Sequence, residues 1–108
     1  MKPLVVRVHP IPSTGLAESK DDARALREGK IIPALEAGRT VTLDFSEVEF
    51  ATQSYVHALI SEAIRRHQDR SFDLLKFRGC TDEVREVVLT VFEYTLAAGD
   101  AARGGGQQ

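Results

Sequence analysis

The sequence has little of what several large protein classes require. Tryptophan is absent and a single cysteine, Cys80, leaves no partner for an internal disulfide, so the default compartment is a reducing one, the cytoplasm. No apolar run approaches the roughly 20 residues of a membrane-spanning helix. The N-terminal Met1-Lys2-Pro3-Leu4-Val5-Val6-Arg7-Val8-His9-Pro10 is too short and too interrupted for a signal peptide. Positive charge is not in excess either: 14 basic and 16 acidic residues give a net charge of −2. A general nucleic-acid binder would carry clustered basic charge, and an anionic membrane would select for the same, so neither partner is expected. What is present is an ordinary globular composition, 43% hydrophobic and 28% charged over 108 residues. That is enough for one domain with one core, expected over residues 1–98, with a Gly-rich flexible tail over 99–108.

Periodicity divides this domain into alternating elements. Leu4 to Val8 reads as a first strand ended by Pro10 and Pro12; the stretch around residues 9–14 could hide a further edge strand. Asp21 and Asp22 supply a cap and first-turn acids for a helix running to about Ala37 and stopping at Gly38. Pro33 falls inside it and predicts a kink or two short helices, with Gly29 four residues back giving the backbone room to bend. In Thr40 to Ser46, Val41, Leu43 and Phe45 alternate with Thr42, Asp44 and Ser46, a clear strand. From Thr52 a helix places Val56, Leu59, Ile60, Ala63 and Ile64 on one face. Phe72 to Phe77 reads as a third strand. Thr81 caps a last helix whose stripe is Val84, Val87, Val88, Val91 and Phe92. The order β-α-β-α-β-α predicts an α/β domain, a small mostly parallel or mixed sheet flanked by helices.

The stretch Val41-Thr42-Leu43-Asp44-Phe45-Ser46-Glu47-Val48-Glu49-Phe50-Ala51-Thr52-Gln53-Ser54-Tyr55-Val56-His57-Ala58-Leu59-Ile60 resembles the central signature of STAS-like domains. These are bacterial modules of unknown function related to anti-sigma-factor antagonists. Phe77-Arg78-Gly79-Cys80-Thr81-Asp82-Glu83-Val84 is similar to a strand-to-helix turn of the same group, and with Ile32-Pro33-Ala34-Leu35 the likeness covers roughly residues 20–96. The resemblance implies a non-catalytic regulatory module of a signalling or partner-switching system, needing no cofactor and docking on an ATPase or serine kinase of the GHKL type. In the antagonists a Ser at the start of the helix after the central strand is phosphorylated, within Asp-Ser-Ser-Gly-Leu. Aligned from Leu43-Asp44, this chain reads Thr52-Gln53-Ser54-Tyr55-Val56, so Gln53 falls on the phosphoacceptor and Ser54 on the second Ser.

Each candidate residue also has a plain structural reading. Thr52 and Ser54 are the candidate phosphoacceptors at a helix start, where amides and dipole favour a phosphate; either could simply cap the helix. Asp44 and Ser46 end the central strand, where ligands gather in open α/β sheets, or they satisfy loop amides. Gln53 and His57 complete the expected partner or ligand surface. Tyr55 stands either as an exposed anchor, as aromatic residues do at interface centres, or partly buried against the sheet edge. His9, His57, His67 and Cys80 lack the paired spacing of a metal site. Cys80 is expected to be structural, and Glu47 and Glu49 to mark a solvated loop. Off-stripe Leu89 and Tyr94 could support a homodimer. Against the leading interaction reading stand a small-molecule domain, in which Ser46, Thr52 and Ser54 hold a nucleotide or other anion, and an enzyme, for which no nucleophile–base–orienter set is legible.

Overall fold

β-branched and apolar residues at alternate positions build a three-stranded parallel sheet from β1 (Leu4–Arg7), β3 (Val41–Asp44) and β5 (Leu75–Arg78), with β3 in the middle. The computed structural model describes residues 2–105, with side chains described through residue 98. Register aligns Leu4, Val41 and Leu75, then Val6, Leu43 and Phe77, on one face. Leu75, Val41, Val6 and Leu43 of this face are buried and Leu4 and Phe77 half-buried. The opposite face aligns Val5, Thr42 and Lys76, then Arg7, Asp44 and Arg78. It stays largely open: Val5 is 48% exposed, and Arg7, Lys76 and Arg78 are exposed too. The sheet is therefore covered on one side, as expected where successive right-handed crossovers proceed in one direction.

The covering layer has α3 (Gln53–His67) packed between the first helical segment and α5 (Asp82–Gly105). The α3 stripe foreseen from its period, Val56, Leu59, Ile60, Ala63 and Ile64, is fully buried. Aromatic rings tie β5 to α5: Phe77 meets Phe92 edge-on at 5.8 Å, and Phe72 stacks on Phe92 at 4.9 Å.

Several boundaries differ from those read in the sequence. The first helix is carried, as one of the two readings of Pro33 had it, as two short α-helical segments, joined by a wider turn. α1 (Lys20–Leu26) runs through a π-wound turn, Arg27–Ile31, into α2 (Ile32–Glu36). The wide turn is closed by the Ile32 amide donating to the Arg27 carbonyl. Pro33 has no amide to give the Gly29 carbonyl, and widening the turn absorbs that loss. Its cap is Ser19, whose hydroxyl accepts from the Asp22 amide at 3.3 Å, while Asp21 and Asp22 sit in the first turn. α2 ends as expected at Gly38. With φ of 81°, Gly38 donates to the Leu35 carbonyl, and Arg39 donates to Ala34.

The third strand, expected over Phe72 to Phe77, starts three residues later. Gln68–Arg70 forms a 3-10 turn and α4 (Ser71–Leu74) a single helical turn, held by the Ser71 hydroxyl donating to the Gln68 carbonyl at 2.6 Å. Residues 9–14 make turns rather than an edge strand, since Pro10 and Pro12 cannot donate to a ladder. The extra strand lies just beyond, where β2 (Leu16–Ala17) pairs in parallel with β4 (Phe50–Ala51) as a separate two-residue sheet. The tail expected from residue 99 meets a helix that runs to Gly105; positions 106–108 lie outside the described residues.

The end of β5 turns back against the end of β3 through Gly79, with φ of 71°. A Cβ there would meet the Ser46 hydroxyl and stand 2.8 Å from its Cα and N. Gly79→Ala therefore combines a left-handed backbone with a backbone collision and should cost about 2 kcal/mol or more. A chemical-denaturation midpoint equal to wild type would contradict this.

Candidate functional site

Asp44 ends the central strand with its carboxylate on the sheet's open face, between the β1 and β5 positions of Arg7 and Arg78. It is nevertheless only 5% exposed. One carboxylate oxygen accepts from the Ser46 hydroxyl and, at 2.9 Å, from the Ser46 amide; the other accepts from Arg78 at 3.2 Å. These bonds hold the carboxyl down at about 2, the Ser46 hydroxyl contributing most and the Ser46 amide and Arg78 adding to it against the opposing effect of burial. Asp44 and Ser46 thus hold the turn after β3, with Asp44 buried and Ser46 exposed. There the carboxylate satisfies the local donors, its Ser46 and Arg78 partners themselves reaching solvent.

Six residues after Ser46, Thr52 caps α3: its hydroxyl oxygen accepts from the Tyr55 amide at 3.1 Å. The cap sets the phase of the first turn. Tyr55 and Val56 go inward; Gln53, Ser54 and His57 face out. These three line one groove of about 550 Å³ between the starts of α1 and α3 and the middle of α5, whose other walls include Lys20 and Tyr94. Among the described residues, Lys20 is the one formally charged residue lining the groove, and no carboxylate lines it. Tyr94 is 68% exposed. Ser54 and His57, on one face of the helix, make no hydrogen bond to each other. An anion mouth of Ser46, Thr52 and Ser54 is not assembled from free hydroxyls, since Ser46 is bound to Asp44 and Thr52 is occupied as a cap. Lys20 was missed because its proximity depends on how α1 lies against α3, which no local spacing encodes. Tyr94 carried a signal, its position off the α5 stripe.

Tyr55 is the main correction. It is 1% exposed and cannot anchor a partner. Its ring fills the core beneath the first turn, and its hydroxyl has no hydrogen-bond partner among the described residues, an arrangement that costs about 1–3 kcal/mol. Burial pushes the phenol up to about 12, and the Asp22 carboxylate adds to the shift.

Elsewhere, Cys80 lies half-buried in a small pocket with Phe77, Val88 and exposed Leu89. Burial pushes its thiol up, away from a reactive thiolate. Among the described residues no three His, Cys, Asp or Glu side chains converge as metal ligands, and no helix is long and apolar enough to cross a membrane. Glu47 lies in an exposed loop, with Arg7 at 3.8 Å and His9 at 3.6 Å. Leu89 and Tyr94, five residues apart, point about 140° from each other on α5 and belong to different surfaces.

Asp44 binds its proton less readily in the folded protein than in the unfolded chain, where the ordinary value is 3.8. Its contribution is complete above about pH 5 and is lost as pH falls through 3.8 towards 2. Asp44→Asn should flatten the fall in urea midpoint over that acid range, leaving the part due to Glu62, whose carboxyl Arg66 also holds low. An unchanged acid slope in the variant would show that the turn does not depend on the ionised carboxylate.

No curated protein and no solved structure matches the chain. A family model described as a STAS-like domain of unknown function matches residues 22–85, from the first turn of α1 to the first turn of α5. That span holds Gln53, Ser54 and His57 but neither Lys20 nor Tyr94, so two walls of the groove lie outside the matched region. With more than half its length matched, and with a parallel sheet flanked by three helices, the chain belongs to the family of STAS-like domains of unknown function.

Proposed function

We propose that this STAS-like domain is a non-catalytic, cytoplasmic regulatory module whose groove at the start of α3 docks a GHKL-type ATPase or serine kinase. The observation that carries the reading is the convergence of Gln53, Ser54 and His57 with Tyr94 and Lys20 around one groove. Such a surface supplies what an interface centre needs. Tyr94 offers a large exposed ring, an anchor type enriched at interfaces. Gln53, Ser54 and His57 offer donors and acceptors on a rigid helix, and Lys20 offers one positive charge. Recognition needs no further chemistry there. Ser54 is the exposed aliphatic hydroxyl in this set, and a phosphate on it would bring a charge of about −2 into the groove. A kinase acting on this domain would change its docking in that way, with Gln53 occupying the position the antagonists phosphorylate.

The test is the affinity of the purified domain for a GHKL-type ATPase of the same cell, measured by calorimetry. Tyr94→Ala and His57→Glu should each weaken binding by about tenfold or more, while Lys76→Glu on the open sheet face should leave it unchanged. Equal binding by all three variants, or no binding by wild type, would reject the reading.

A further inference from the structure

Leu89 stands out from α5 at 51% exposure, although Val88 and Phe92 beside it are buried. It is not an isolated apolar residue. Phe72, exposed as well, stacks on Phe92 at 4.9 Å, and half-buried Leu96 follows Leu89 two turns later. A hollow of about 220 Å³ adjoins the patch, with Phe77, Cys80 and Val88 as well as Leu89 in its walls. Positions 85, 89, 92 and 96 are spaced by four, three and four residues, the seam that one helix presents to another.

The charges around Leu89 identify the other helix. Arg85 lies one turn before it and Glu93 one turn after, each about 6 Å along the axis and about 40° around it. Both are exposed. Glu93 has no hydrogen-bond or ion-pair partner among the described residues. Arg85 approaches Asp82 at 3.8 Å, a contact between exposed groups that holds it weakly. A partner of one charge sign would meet one of these two residues favourably and the other unfavourably. Turning a second α5 end for end about Leu89 instead brings its Glu93 to the height of Arg85, and its Arg85 to the height of Glu93. The pattern is complementary to itself, as a two-fold interface requires. We propose that α5 is a homodimer surface, two copies packing α5 against α5 antiparallel with Leu89 on Leu89 and two Arg85–Glu93 ion pairs across the two-fold axis. Phe72 and Leu96 flank the contact. Tyr94 points about 140° away from Leu89, so each copy keeps its docking groove open. The inference rests on a different face from the docking proposal and stands or falls without it.

The test is the association state of the full chain, measured by sedimentation equilibrium over a range of concentrations. The wild type should show a monomer–dimer equilibrium and Leu89→Asp should stay monomeric, with circular dichroism confirming that the variant is folded. Arg85→Glu and Glu93→Arg each set like charges face to face and should weaken the dimer by about tenfold or more. Mixed in equal amounts, these two variants should pair with each other at wild-type affinity, since each supplies the charges that the other lacks. The mixture leaves Leu89 unchanged, so it decides the question even if Leu89→Asp unfolds. A wild type that is monomeric at every concentration would overturn the proposal. So would a dimer that Leu89→Asp leaves intact, or a mixture of the charge variants that associates no better than either alone.

Discussion

Burial of one face of α3 is the constraint on which the rest of the molecule depends. Val56, Leu59, Ile60, Ala63 and Ile64 are removed from water between the sheet and the flanking helices. Each of the larger side chains among them contributes about 1.5–3 kcal/mol relative to exposure. A helix so held cannot rotate about its axis without exposing that face. Rotation being fixed, Tyr55 must join the core and Gln53, Ser54 and His57 must look outward. The groove at the start of α3 is therefore a consequence of packing several turns away.

The position of α3 along its axis is fixed by different chemistry. The turn after β3 is held by the Asp44 carboxylate, which gathers the Ser46 hydroxyl, the Ser46 amide and Arg78. Gly79 lets the end of β5 press against the same turn, and the Phe45 amide donates to the Arg78 carbonyl at 2.9 Å. Thr81, capping α5, also donates to the Glu49 carbonyl at 3.0 Å. The ends of β3 and β5 and the start of α5 are thus tied together just before the chain enters α3. A site built at that entrance inherits its rigidity, which lowers the entropy lost when a partner binds.

What the sequence revealed follows the range of the forces involved. The strand Val41–Asp44, the α3 stripe and the Thr52 and Thr81 caps were legible because alternation, helical period and capping are local. The β2–β4 pairing was not, because two residues are too few to show alternation. The start of β5 was displaced because a helical turn built on Ser71 and Gln68 outweighed the β-propensity of Phe72 and Leu74. For the candidate site, Gln53, Ser54 and His57 were placed on the right surface by the helical wheel. Tyr55, one residue ahead of the stripe, and Asp44, at a strand end, were not, because their burial depends on neighbours distant in sequence: α1 for Tyr55 and Arg78 for Asp44.

The central claim is that the α3 entrance, rather than the uncovered sheet, is the face that meets a partner. Amide shift mapping of the labelled domain on addition of a GHKL-type ATPase tests it most directly. The account predicts changes concentrated at Lys20, Gln53, Ser54, His57 and Tyr94. Changes concentrated instead at Val5, Thr42 and Lys76 would contradict it.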